Sequence, residues 1–144
     1  MSPEDAVARE GIRETIASYA QFVDSGRFDE FSELFTEDGS LEVEGQDPRI
    51  GRAAIRGLAD GTRASLAAAT TSGRIRHHVA LPSITLVGPA QATARCYFLA
   101  VTDHGPDHWG VYRDDLVEVD GRWLFRRRRC RTEGRVDGGF AGRA

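Results

Sequence analysis

The sequence predicts an α+β domain with helices packed on one face of a curved antiparallel sheet, and three observations lead there. The first half of the chain carries apolar residues at helical spacing. The second half is a series of segments rich in β-branched and aromatic residues, separated by Gly, Pro and Asp turns. The length, 144 residues, suits a single domain. A domain near this size buries roughly 68–70% of its unfolded surface, enough to stand without disulfides or a metal.

Ser2 is placed to cap a first helix with Pro3 in its first turn and Asp5 three residues after the cap. Ile12, Ile16, Tyr19, Ala20 and Val23 form its apolar stripe, which ends at Ser25-Gly26. A short second helix begins near Asp29 and buries Phe28, Phe31, Leu34 and Phe35, and Glu37-Asp38-Gly39 turns the chain out of it. Leu41 and Val43 alternate with Glu42 and Glu44 as a half-buried strand, broken at Asp47-Pro48. A third helix runs from about Arg52 into Ala67-Ala68-Ala69, with Ile55, Leu58, Thr62 and Leu66 on one face. Strands follow at His77–Val87, Ala92–Thr102, His108–Val119 and Trp123–Arg131, and Asp120-Gly121 is a hairpin signal. The expected domain is residues 1–133. Residues 134–144 carry four glycines and are expected to fray, with Phe140 the one side chain able to anchor them.

Composition narrows the function classes. Hydrophobic residues make up 40% and charged residues 28%, which excludes disorder, collagen and disulfide frameworks. A net charge of −3 gives no global attraction to nucleic acid or to an anionic membrane. All basic residues are arginine, a bias to which no function is assigned. Cys96 and Cys130 fall inside strand-like runs, and two thiols make no framework. The first residues lack a basic segment followed by an apolar one, and no run approaches the length of a membrane span. A soluble, cytoplasmic protein is expected.

Three features do not read as plain packing. Tyr19 and Asp24 share the end of the first helix, and a carboxylate at a helix C-terminus faces the negative end of the dipole, so Asp24 needs some other partner. His77 and His78 open a strand, and because neighbours on a strand point to opposite faces, one of them faces inward. Along His108–Leu116, taking Leu116 as inward puts Asp114, Tyr112, Gly110 and His108 on the same side, a polar lining suited to a pocket rather than to a core. The spacing of His104 and His108 is interrupted by Gly105-Pro106, so no metal site is expected. Arg126 to Arg129 lie opposite Asp114, Asp115 and Glu118, which points to an ion-pair ladder rather than to nucleic-acid contact. Phosphate loops, zinc-finger spacings and a nucleophile elbow are absent.

These residues resemble the NTF2-like superfamily, and within it the SnoaL-like and scytalone dehydratase-like branch. The resemblance is carried by the run from Tyr19 to Asp24, by Arg27–Phe35, Asp38-Gly39, Gly51–Ile55, His77-His78-Val79, and Tyr112-Arg113-Asp114 through Trp123, and spans roughly residues 5 to 132. It implies a cone of curved sheet closed by N-terminal helices (an α+β barrel), often dimeric through the outer sheet face. It also implies an Asp–His pair, with Asp24 orienting His78. Tyr19 resembles the oxyanion-hole tyrosine of ketosteroid isomerases, and Asp114 their neutral, proton-donating aspartate. Tyr112 falls where scytalone dehydratase has a substrate-binding asparagine. Val43 occupies the isomerase base position. The second dehydratase histidine falls near Thr102, with His104 or His108 as substitutes, and the Asp-Arg-Asp set of limonene-type epoxide hydrolases is not recognisable.

The implied function is a cofactor-independent acid–base enzyme of the dehydratase or cyclase type, acting on a small oxygenated cyclic compound. Catalytic residues are then Asp24, His78 and Tyr19. Tyr112, Asp114, His108, Phe22, Phe35, Phe98 and Trp109 bind the substrate, and no metal takes part. Partners are a small-molecule substrate or ligand and a second copy of the chain, with no nucleic acid or membrane. A non-catalytic small-molecule-binding or dimerisation module of the same fold is the alternative.

Overall fold

Ser2 starts the longest helix, α1 (Pro3–Asp24), through a reciprocal capping box. Its hydroxyl accepts the Asp5 N–H at 3.1 Å, and the Asp5 carboxylate accepts the Ser2 N–H at 3.0 Å. The far end closes on Gly26, whose φ of 72° lets the Arg27 N–H reach the Phe22 carbonyl at 2.9 Å and the Gly26 N–H reach Val23. The computed structural model describes residues 1–143. After α1 come α2 (Phe28–Ser32), β1 (Phe35–Val43), β2 (Arg49–Ile50), α3 (Arg52–Arg56) and α4 (Leu58–Ala69). Strands β3 (Arg76–Val79), β4 (Ser83–Gly88), β5 (Gln91–Thr102), β6 (Gly105–Val119) and β7 (Arg122–Arg135) follow, and a 3₁₀ turn, η1 (Phe140–Arg143), ends the described chain.

The strands form one sheet in the order β2-β1-β7-β6-β5-β3, with β4 also paired to β5. Pairing is antiparallel except between β1 and β7, which run parallel. The end strands β2 and β3 do not pair, so the cone is a curved, open sheet rather than a closed barrel. Helix α1 touches both β7 and β3, which are separated by β6 and β5, so the sheet curls around it. The approach is close: a Cβ on Gly11 of α1 would stand 2.8 Å from the Trp123 ring of β7. Ile12 and Ile16 are buried in this contact, each worth about 1.5–3 kcal/mol on burial. Phe31, Phe35, Leu41, Leu116 and Phe125 complete the core beside them.

Several element expectations are corrected. Gly57 divides the expected third helix into α3 and α4. The His77–Val87 run is two strands, β3 and β4, because Ala80 to Pro82 leave the ladder. The Glu37-Asp38-Gly39 turn is absorbed into β1 as an irregularity between Phe35 and Ser40. Gly134 and Arg135 stay in the sheet, and the described residues after them fold back on β6. Strand β7 continues to Arg135, the Val136 N–H donates to the Asp107 carbonyl at 2.9 Å, and the segment closes on Phe140. The last residue of the expected tail, Ala144, lies outside the described residues.

Candidate functional site

Asp24 is the last residue of α1, and its side chain points to the start of β3. One oxygen, Oδ1, lies 2.6 Å from Nδ1 of His77, and Oδ2 accepts the His77 backbone N–H at 2.7 Å. An ionised carboxylate only accepts, so Nδ1 carries the proton and Nε2 is the free ring nitrogen. This partner offsets the unfavourable end of the helix dipole.

His77, not His78, is therefore the inward histidine. In the β3–β5 register His77 faces Ala100, which is fully buried, whereas His78 faces the half-exposed Leu99 and is itself exposed. The sequence carried the signal. Ile75 is buried and Val79 half-buried, so apolar residues two positions to either side set the inward parity for His77.

A second pair stands opposite. His108 Nδ1 lies 2.7 Å from Asp107 Oδ2, and both residues are buried although adjacent. The reason is a β-bulge: His108 pairs with Ala100 and Pro106 with Val101, which leaves Asp107 as the extra residue of β6. The two imidazoles are 6.1 Å apart between centroids, in edge geometry. Burial pushes the His108 imidazole below the ordinary histidine range, against the pull of Asp107, and nearby His77 adds to the lowering. Burial opposes ionisation of Asp107, yet its hydrogen bonds to His108, Phe140 and Ala141 bring the carboxyl below its ordinary range.

Deeper in the cone lies a buried cation. Arg128 is fully buried and makes a bidentate pair with Asp114, both N···O distances being 2.8 Å. Its guanidinium lies over the rings of Tyr112 at 4.0 Å, Tyr19 at 4.2 Å and Phe125 at 4.3 Å. Its Nη1 has no hydrogen-bond partner among the described residues. Burial pushes the Tyr19 phenol well above its ordinary value, against the pull of Arg128, and burial does the same to Tyr112. Both phenols stay protonated. Burial likewise lifts the thiols of Cys96 to about 11 and Cys130 to about 12, which makes them poor nucleophiles at neutral pH.

His108, Tyr112, Asp114, Tyr19 and Phe98 all face the interior. Phe98 stacks on Tyr112 at 4.5 Å and stands 5.8 Å from His108 and 6.4 Å from His77. The site thus has two layers, histidines on one side of the Phe98–Tyr112 stack and Arg128 with the phenols on the other. Asp114 does not act as a neutral donor, because a guanidinium offers only donors and holds both carboxylate oxygens as acceptors. Phe35 belongs to the core, against Phe31 and Phe125. Phe22 is half-buried at the edge of the core with Arg27 over its ring. Trp109 lies on the outer face, 40% exposed and pressed on Gly134, so it lines no pocket. Sequence reasoning did not single out His77, Asp107 or Arg128 as functional. A buried arginine within a run of exposed ones left no pattern to read.

A surface cleft of about 360 Å³ lies away from the histidines, between Glu42–Gln46 and Val111, Arg113 and Arg129–Arg131. A smaller one, about 100 Å³, borders Asp107, His104 and Val136–Gly139. The larger cleft is lined by Val43, Pro48 and Val111 together with charged side chains such as Glu44 and Arg131, and none of the histidines borders it. Among the described residues, no group of three or more His, Cys, Asp or Glu side chains is placed to hold a metal ion.

Residues 4–129 match the SnoaL-like domain, nearly the whole chain. The chain belongs to the SnoaL-like family. An NTF2-like protein with a cystatin-like fold from Novosphingobium aromaticivorans is 33% identical to this SnoaL-like chain, over 94% of this chain and 86% of that one, with a TM-score of 0.76. A candidate scytalone dehydratase from the same organism is 25% identical over 95% and 91%, with a TM-score of 0.81. LinA, 16% identical over 94% and 93% with a TM-score of 0.80, shares the fold. Among curated proteins none matches the chain. No helix of the described residues is long and apolar enough to cross a membrane.

Proposed function

We propose that this SnoaL-like protein is an acid–base enzyme of the dehydratase or cyclase type, acting without a cofactor on a small oxygenated cyclic compound. The carrying observation is the pair of carboxylate-held histidines whose rings stand 6.1 Å apart. In a dehydration, one imidazole takes the proton from the carbon next to a carbonyl. The C–H electrons form the C=C bond as the C–O bond breaks, and the other histidine, protonated, gives its proton to the departing hydroxyl to release water. Burial keeps His108 neutral, which suits the base, and His77, clamped by Asp24 through ring and backbone, suits the acid. The phenolic O–H of Tyr112, stacked on the Phe98 ring that borders both histidines, is the donor best suited to the developing oxyanion, since it stays protonated. The likeness to the candidate scytalone dehydratase supports this class of reaction.

The test incubates the protein with cyclic β-hydroxyketones in D₂O and follows α-proton exchange and loss of water by NMR. Exchange that disappears in His108→Ala, and loss of water that disappears in His77→Ala, with both variants folded by circular dichroism, support the reading. Full activity in either variant overturns it. A binding module is the second reading, favoured because the Phe98 ring, stacked on Tyr112 and beside both histidines, offers a flat apolar surface to a ring compound whether or not it reacts. Saturable binding of the same ketones without exchange selects it. We also infer a homodimer through the outer sheet face, where Tyr97, Leu99 and Trp109 are exposed. Sedimentation at a monomer mass overturns that.

A further inference from the structure

Asp107 has more partners than orienting one imidazole requires. Besides His108, its Oδ1 accepts the Phe140 N–H at 2.7 Å, its Oδ2 accepts the Ala141 N–H at 3.3 Å, and its carbonyl accepts the Val136 N–H. Gly139 fits against the same carboxylate: a Cβ there would stand 2.6 Å from Oδ1. The Phe140 ring lies 6.1 Å from the His108 ring, so the residues that grip the carboxylate also cover the histidine. One carboxylate is thus shared between a site imidazole and the backbone of the C-terminal segment.

We propose that Asp107 is the positioning residue of His108 and that it couples docking of the C-terminal segment to the protonation of that histidine. The argument rests on the acid–base reading of the same histidines. With the segment docked, two N–H donors draw charge from Asp107, and Phe140 keeps water from the ring. Both effects favour neutral His108, the form that can accept a proton. With the segment released, the carboxylate faces the imidazole with its full charge and the ring is wetter, and both effects favour the imidazolium. Docking thereby arms the base.

Charged and titratable groups stand around His108 on several elements, with His104, paired to Asp103, and Asp137 lining the cleft beside Asp107. His77 approaches from β3 with Asp24 behind it, and Asp107 is on β6 itself. Arg135, the strand partner on β7, is exposed and reaches the Ala141 carbonyl at 3.5 Å. Helix α4, which touches η1, carries Asp60 and Arg63, both exposed.

The test is the NMR titration of ¹⁵N-labelled histidine side chains in the full chain, which needs no substrate. Asp107→Asn removes the anion and is expected to move the His108 titration to lower pH. Phe140→Pro removes one N–H donor and the covering ring, and is expected to move it to higher pH. Opposite shifts support the coupling. Shifts in one direction, or none, overturn it and leave Asp107 as an anchor of the segment only. If Asp107→Asn fails to fold, Phe140→Pro decides alone: a shift to higher pH supports the proposal and an unchanged titration overturns it. Because the readout is not turnover, absence of any exchange reaction sinks the acid–base reading while this coupling is still measured.

Discussion

Asp24 spends both of its carboxylate oxygens on His77, one on the ring at 2.6 Å and one on the backbone N–H at 2.7 Å. The backbone contact fixes where β3 begins relative to α1, and the ring contact fixes the tautomer. A single residue thus joins the end of the long helix to the edge of the sheet and orients a catalytic candidate.

His77→Ala is expected to lower turnover by on the order of 10²–10⁴-fold, the usual worth of a positioned acid or base. His78→Ala, on the exposed face of the same strand, should leave it near the wild-type rate. Steady-state rates of the two variants, compared side by side, check the assignment. Equal losses would mean that strand integrity, not chemistry, is being measured.

The acid side of the stability profile is expected to depend on His108 and Asp107. The folded state holds His108 neutral below the ordinary histidine range, so the unfolded chain binds that proton first as the pH drops. Stability therefore falls as pH decreases through the ordinary histidine value toward the lowered folded one. Asp107 acts in the same sense further down: its stabilisation is present above the ordinary carboxylate range and is lost as pH falls through the lowered folded value. Urea midpoints between about pH 7.5 and about pH 5.5 should drop in the wild type and drop less in His108→Gln.

The fold was legible because its signals are local and repeated. The stripe from Ile12 to Val23 and the alternation from His108 to Leu116 each predicted buried faces that the structure bears out. Asp120 and Gly121, both at positive φ, make the hairpin turn expected of that pair. What escaped was set by non-local geometry. The choice between His77 and His78 is the exception, because the local parity of Ile75 and Val79 already points His77 inward and the register against Ala100 and Leu99 agrees with it. The burial of Asp107 depended on one extra residue in β6, and a bulge leaves no mark on a pattern of alternation. Of the expected ion-pair ladder, Arg128–Asp114 and Arg129–Asp115 form, while Arg127 and Arg131 turn to Glu42 and Glu44, and nothing in the sequence distinguishes the one arginine that goes inside.

Breaking that buried pair is expected to be costly. Asp114→Ala leaves the Arg128 guanidinium buried without its counter-charge, and such losses run to about 3–5 kcal/mol. Replacing both partners together, Asp114→Leu with Arg128→Met, should cost less than Asp114→Ala alone, since no charge is then stranded. Chemical denaturation of the single and double variants checks this. A double variant less stable than the single would show that the rings of Tyr19, Tyr112 and Phe125 need the cation for their packing.

Gly110→Ala offers the sharpest test of the sheet's geometry. Gly110 lies on β6 beside the Phe98 ring, and a Cβ built there runs into the Arg131 carbonyl of β7. The obstacle is backbone, so it cannot rotate aside as a side chain would. The register shifts beside it, where Trp109 pairs with Gly134 and Gly110 with Thr132, so Glu133 is the extra residue of β7 next to the contact. The substitution is expected to destabilise the protein by roughly 1–3 kcal/mol, the range of an overpacked core. It should also disturb the ring of Phe98, and through it His108, 5.8 Å away. A lowered urea midpoint together with shifted His108 resonances would confirm that the close β6–β7 contact at Gly110 sets both the packing of the cone and the placement of its second histidine. An unchanged midpoint would mean that the strands separate there more readily than the close contact implies.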